Sequence, residues 1–289
     1  MEIEIPDLAP PAAAGELAAA WALAACGFAA SLAVLWLIAR RRSRGLPAVT
    51  ERPHAAVPWN GAEVMAVVLS FLGFQVLAGS SLPVDASMQA KLAAGSGAML
   101  AATGVSMLQL LLRGASWASL GCGLGRLRED TSLAVAGLLL LLAPLLGLAA
   151  VLDWIVPYHH DIVDFLVQHR DPISIGLVAF SAVVAAPIAE EFLFRRVLQG
   201  WLEGRLDAKT TGEPPGWGET GPILLSSLAF AVAHVGQGLA WVPLFFFGLV
   251  VGYLARQTGS ILPGIILHGL FNAVSVVLVL LQLGPDGVG

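Results

Sequence analysis

Residues 132–154 read SLAVAGLLLLLAPLLGLAAVLDW, with no charged side chain before Asp153. A run of about 20 apolar residues, rising 1.5 Å each as a helix, matches the hydrocarbon thickness of a bilayer. Inside lipid a lone segment satisfies its backbone polar groups only as a helix. Applied outward from this stretch, the same window finds further spans at about 17–39, 61–81, 92–112, 173–198, 222–238, 239–255 and 260–283. The chain is therefore expected to be all-α, a polytopic membrane helical bundle of about eight transmembrane helices. Windows 222–238 and 239–255 are short and meet at Gly236-Gln237-Gly238, which leaves room for a tilted, broken or re-entrant segment.

Composition agrees with a membrane solvent. Of 289 residues 57% are hydrophobic and 12% charged, whereas soluble domains carry roughly a quarter charged residues. Little chain remains for a soluble unit, so 1–289 reads as a single membrane domain. The net charge of −5 and the lack of a basic run beyond Arg40 to Arg44 argue against nucleic acid as a partner. Two cysteines, Cys26 and Cys122, build neither a disulfide framework nor a cysteine-rich zinc site. Glu2, Glu4 and Asp7 have the wrong sign for the basic start of a cleaved signal peptide, so the first apolar segment is expected to be a retained span.

Lysine and arginine favour the cytoplasmic side. With the N-terminus outside, cytoplasmic segments collect Arg40, Arg41, Arg42, Arg44, Arg52, Arg113, Arg126, Arg128, Arg195, Arg196, Arg205, Lys209 and Arg256, which is 13 of 15, against Lys91 and Arg170. An even number of spans with both termini outside follows, in a multi-pass integral membrane protein (of the plasma or inner membrane, if bacterial). The Pro-, Gly- and charge-rich connections 41–60 and 199–221 are expected to be loops with short interfacial helices. Connection 155–171 holds Tyr158, His159, His160, Asp161, Asp164 and His169; His159-His160-Asp161 has metal-binding residue types, although solvated loop histidines are the ordinary reading. Gly121-Cys122-Gly123-Leu124-Gly125 lacks the Gly-Lys-Ser/Thr ending of a phosphate loop and reads as a linker. Gly248 and Gly252 are spaced for close helix packing.

Ionisable groups at bilayer depth cost at least about 2.5–3.5 kcal/mol and default to functional candidates. The span at 173–198 carries Pro187-Ile188-Ala189-Glu190-Glu191-Phe192-Leu193-Phe194-Arg195. Adjacent helical residues point about 100° apart, so Glu190 and Glu191 are not expected to share a partner. Glu191 and Arg195, at i and i+4 with the acid first, are expected to pair. That leaves Glu190 for chemistry, with Pro187 as a candidate kink. Phe230 and His234 share a face one turn apart, as do His268 and Asn272. Counted from the inner span ends, Glu190 and His268 both come out roughly 12 Å deep. Singly, each group has a structural reading, as an interhelical hydrogen bond or a buried ion pair. Together on three spans they point to one site. Gly79-Ser80-Ser81 and Gly114-Ala115-Ser116 fit Gly-x-Ser, but sit at span ends and read as turn residues.

The ordered trio Glu-Glu-xxx-Arg (Glu190, Glu191, Arg195), Phe-xxx-His (Phe230, His234) and His-xxx-Asn (His268, Asn272) resembles the CPBP family, the CAAX proteases and bacteriocin-processing enzymes also called Abi. The likeness covers about 172–280 and makes 172–283 the catalytic core, leaving 1–171 as spans of unassigned role. It implies an intramembrane endopeptidase of eight helices acting on a membrane-associated peptide or protein. In that scheme Glu190 and His234 activate water, His268 and Asn272 stabilise the oxyanion, and Glu191, Arg195 and Phe230 support the site. No cofactor is required if the glutamate holds the water. The rival is a divalent metal such as zinc on Glu190, His234 and His268, an accepted ligand set. Two other classes stay open on the residues alone: a catalytically silent membrane scaffold or bacteriocin-immunity-type protein, and a proton-coupled transporter, since buried Glu and His also mark proton paths.

Overall fold

The computed structural model describes residues 14–53, 56–157, 161–206 and 217–282. Helices α1 (Ala14–Arg42), α2 (Gly61–Ser80), α3 (Met88–Leu112), α4 (Leu127–Ile155) and α5 (Asp161–Gln168) are followed by α6 (Pro172–Leu206), α7 (Trp217–Val232), α8 (Trp241–Thr258) and α9 (Leu262–Gln282). Among the described residues seven helical stretches are long and apolar enough to cross a membrane. The window expected at 222–238 is instead the 16-residue α7, which ends at Val232 because the chain turns through Ala233 to Gln237 before α8. His159 and His160 lie outside the described residues.

Local chemistry sets the helix starts. Asn60 and Glu63 form a reciprocal capping box for α2, with Asn60 Oδ1 accepting from the Ala62 amide at 2.8 Å and Glu63 Oε2 from the Asn60 amide at 2.8 Å. Asp171 caps α6 through the amides of Ile173 and Ser174, and Pro172, lacking an N–H, fills the first turn at no loss. Gly259 ends α8 at φ +64°, where a side chain would be strained. Within the expected 155–171 connection, Asp161–Gln168 form amphipathic α5, which buries Phe165 and Leu166 against Leu92 and Val178.

The surface is apolar where a water-soluble fold would be charged. Leu69, Leu72 and Val76 of α2 and Trp21 and Leu32 of α1 face outward, each more than half exposed, which suits lipid. Helix α1 packs on α4, Ser31 Oγ donating to the Leu139 carbonyl at 2.9 Å. Between α4, α7, α8 and α9 lies a core of Leu141, Phe230, Phe247, Val251 and Leu267.

One end of the bundle gathers the basic residues. Arg52 pairs with Asp130 at 2.5 Å, its amide donates to the Gln257 carbonyl, the Ile261 amide donates to the Gly121 carbonyl, and Arg256 meets Glu203 at 3.8 Å. The 121–125 stretch is thus a packed turn, with Gly121 at φ +71°. Arg195 and Arg196, counted by sequence among the cytoplasmic cations, are both buried, Arg195 beside Glu191 as its spacing predicts and Arg196 donating to the Ser119 carbonyl. The 199–221 connection differs from expectation, since α6 continues to Leu206.

Candidate active site

Helix α6 is not a regular α-helix where the carboxylates sit. It widens to π geometry over Phe180–Ala185 and again over Glu191–Gln199. Pro187 accounts for the first wide turn. It has no N–H to give the carbonyl four residues back, and its ring crowds that carbonyl. The Ala186 amide reaches back to Ser181. The Ala182 carbonyl therefore loses its usual donor, Ala186, and in the wide register would look to Pro187, which has none. Asn272 supplies the missing bond, its Nδ2 donating to Ala182 O at 2.7 Å. Gly269, next to His268, allows this approach: a Cβ there would lie 2.8 Å from the Val183 carbonyl.

Glu190, His234, His268 and Asn272 line one cavity of about 400 Å³. Glu190 Oε2 lies 3.8 Å from His268 Nε2 and 4.0 Å from His234 Nε2. Helix α7 ends two residues before His234, whose Nδ1 donates to the Phe230 carbonyl at 2.8 Å. A carbonyl only accepts, so Nδ1 carries a proton, and Nε2 is the nitrogen that faces Glu190. His268 Nδ1 lies 3.2 Å from Glu191 Oε1, and Glu191 in turn faces Arg195 Nε at 3.5 Å. His268 thus touches both carboxylates. The expectation that Glu190 and Glu191 have separate partners fails here, because the two nitrogens on different edges of one ring reach each acid.

Phe230 is the hub of the aromatic packing. Its ring stands 4.8 Å from His234 and 6.0 Å from His268, and the Arg195 guanidinium lies 5.2 Å over it. Arg195 Nη1 donates to Ser226 Oγ at 3.1 Å. Ser226 and Gln199 escaped the sequence reading, although both continue its own spacing: Ser226 is four residues before Phe230, and Gln199 four after Arg195. Helix α5 escaped it too, yet Ile162, Val163 and Leu166 wall the cavity together with Val178, Val276 and Val279. The cavity therefore runs from Glu190 away from the basic end. Helix α6 continues past the expected end at 198, and Glu190 lies close to the midpoint of Pro172–Leu206.

A tetrahedral zinc with bonds of about 2.0–2.1 Å sets its ligand atoms ~3.4 Å apart. The 3.8 and 4.0 Å separations around Glu190 Oε2 are wider by about half an ångström, and among the described residues no three His, Cys, Asp or Glu donors stand close enough to hold an ion.

Residues 172–274 match the family model described as Type II CAAX prenyl endopeptidase Rce1-like, a range that contains all three motifs. No curated protein and no solved structure matches the chain.

Proposed function

We propose that this multi-pass membrane protein, whose residues 172–274 match the Rce1-like CAAX proteases, is an intramembrane endopeptidase that hydrolyses a peptide bond with water activated by Glu190. The observation that carries the reading is the convergence of Glu190 Oε2 with the Nε2 atoms of His234 and His268 at 4.0 and 3.8 Å. Two of these, Glu190 Oε2 and His234 Nε2, would accept the two O–H bonds of one water, and His268 Nε2 is kept for the oxyanion. Glu190 takes one proton from that water, the oxygen attacks the scissile carbonyl carbon, and the C–N bond breaks as the proton passes from Glu190 to the departing amine. His234 orients the water, held by its bond to Phe230 O. The second amide hydrogen of Asn272 is free for the oxyanion, and His268 donates from Nε2 when it carries both ring protons. Glu191 and Arg195 fix His268 from behind, and Phe230 packs between them.

No metal enters this scheme. The substrate is a membrane-associated peptide or protein, and the apolar walls of the cavity suit a lipid-embedded or lipidated segment. The basic end, with Arg40, Arg41, Arg42, Arg44, Arg52, Arg113, Arg126, Arg128, Arg205 and Arg256 against Lys91 and Arg170 at the other, is assigned to the cytoplasm, which puts the N-terminus outside. Because Ile162, Val163 and Leu166 of α5 line the cavity, substrate entry is assigned to that half of the bilayer.

Purified full-length protein in nanodiscs, incubated with a quenched fluorogenic peptide ending in a farnesylated CAAX tail and with a panel of unmodified membrane peptides, tests this. Glu190→Gln is expected to lower kcat by about 10²–10⁴ with the fold intact. Cleavage unchanged in Glu190→Gln, His234→Ala and His268→Ala would sink the peptidase reading. Loss of activity on adding a chelator, restored by zinc, would replace the metal-free scheme.

A further inference from the structure

Behind the proposed catalytic groups runs a second set of polar side chains that the reaction scheme does not use. On α6, Glu191, Arg195, Gln199 and Glu203 follow one another at i, i+4. The first three are almost fully buried. An ion pair at 3.5 Å joins Glu191 to Arg195, and hydrogen bonds carry on from there: Arg195 Nη1 donates to Ser226 Oγ at 3.1 Å, Ser226 Oγ to Gln199 Oε1 at 3.0 Å, with the Ile223 carbonyl a second acceptor at 3.2 Å, and Gln199 Nε2 to Glu203 Oε1 at 2.9 Å and the Gly252 carbonyl at 2.8 Å.

Each of the buried steps is faced by a glycine. A Cβ at Gly264 would lie 2.7 Å from Glu191 Oε2, one at Gly248 3.2 Å from Arg195 Nη2, and one at Gly252 2.8 Å from Gln199 Oε1. The spacing of Gly248 and Gly252, read from sequence as generic close packing, therefore makes room for this ladder as well as for α7, whose Ser227 Cβ stands 3.0 Å from the Cβ position of Gly248.

We infer that Gln199 and Ser226 are positioning residues, which hold Arg195 and Glu191 and so fix which nitrogen of His268 bears its proton and where Nε2 points. Neither touches the cavity. A buried guanidinium whose donors are not held can swing toward other acceptors, and Glu191 would follow it. With Ser226 taking Arg195 Nη1 and Gln199 taking the Ser226 proton, one edge of the guanidinium is held in place beside Glu191. The inference rests on reading the site as hydrolytic, because positioning matters only if His268 acts.

Ser226→Ala removes one oxygen and no carbon, so it leaves the packing whole; Gln199→Leu and the double variant complete a cycle, and Ser106→Ala, a buried hydroxyl on α3, serves as control. Two readouts are taken on the full chain in nanodiscs. Imidazole nitrogen-15 resonances, assigned to His268 with a His268→Gln sample, report the tautomer without any substrate. Turnover of the quenched farnesylated peptide reports kcat and KM. Each single variant is expected to move or split the His268 signals and to lower kcat roughly tenfold with KM within about twofold. The double variant should lose little more than either single, since the two act through one bond. Unaltered His268 signals in both folded single variants overturn the inference, as does full additivity in kcat. Should wild-type protein cleave no peptide, the hydrolytic reading is what fails, and the resonance arm still decides whether the ladder holds His268.

Discussion

Replacing Gly264 by alanine measures how much the carboxylate behind His268 matters. The new Cβ would lie 2.7 Å from Glu191 Oε2 and 3.2 Å from its Cδ. Ordinary contact begins at 3.4 Å, so the acid must retreat by about 0.7 Å. Gly264 and His268 are one turn apart on the same face of α9, so a retreat from one is in part a retreat from the other. The Glu191 Oε1 to His268 Nδ1 bond, 3.2 Å long at the outset, then passes beyond hydrogen-bonding range. A bond to a charged group is worth about 1.5–3 kcal/mol. If it is fully used in the transition state, its loss is ~10- to 150-fold in kcat. Overpacking should also destabilise the fold by about 1–3 kcal/mol. Kinetics on the fluorogenic peptide and thermal unfolding in nanodiscs should be read together, with Gly176→Ala, where a Cβ meets nothing within 4 Å, as companion. A Gly264→Ala protein that unfolds at a lower temperature yet keeps wild-type kcat would refute the reasoning, because Glu191 would then have moved without consequence.

Three further perturbations follow from the packing. Asn272→Leu strips the Ala182 carbonyl of its donor and should cost about 1–3 kcal/mol of stability; Asn272→Asp should be worse, setting acceptor against acceptor, and unfolding midpoints will rank the two. Arg52→Ala leaves the buried Asp130 without its ion pair, an expected loss of about 3–5 kcal/mol that the double variant with Asp130→Ala should partly recover. Asp171 lies just outside the span, and the Ser174 hydroxyl, then the Ser174 amide, hold its carboxyl below the ordinary 3.8. Its folded value being depressed, the cap's contribution is present above pH 3.8 and is lost as pH falls through the lower folded value. Asp171→Asn should flatten that acid limb in a pH series of unfolding curves.

Much of this architecture could be read because lipid imposes a strong rule: long uncharged windows are helices, and the expected spans at 61–81 and 92–112 agree with α2 and α3 to within a few residues. The i, i+4 pairs were legible for the same reason, since a helix turns any four-residue spacing into a neighbour. Glu191 with Arg195, and Phe230 with His234, meet in this way. What could not be read depends on departures from the ideal helix or on partners distant in sequence. The length of α7 follows from a turn around Ala233, and the placement of Asn272 from a carbonyl that Pro187 disinherits. The double contact of His268 arises because α9 crosses α6 where two adjacent acids both come within reach. Gln199 and Ser226 carried a usable signal, the next i+4 step on each helix. They are uncharged, however, and a search for ionisable groups in lipid passes over them.

The wide turns of α6 bear on attempts to rebuild this site elsewhere. Each added residue in a helix rotates everything beyond it by about 100°. The phase of Glu190 and Glu191 relative to the Asp171 end is therefore set by the wide segment Phe180–Ala185 and not by the count of ideal turns. A designer who grafted the three motifs onto straight, regular helices would deliver both carboxylates to the wrong neighbours. A single-residue deletion between Phe180 and Pro187 would do the same in the native chain while leaving every proposed catalytic side chain in place in the sequence. Alignments of related chains should accordingly tolerate substitution there far better than a change in length.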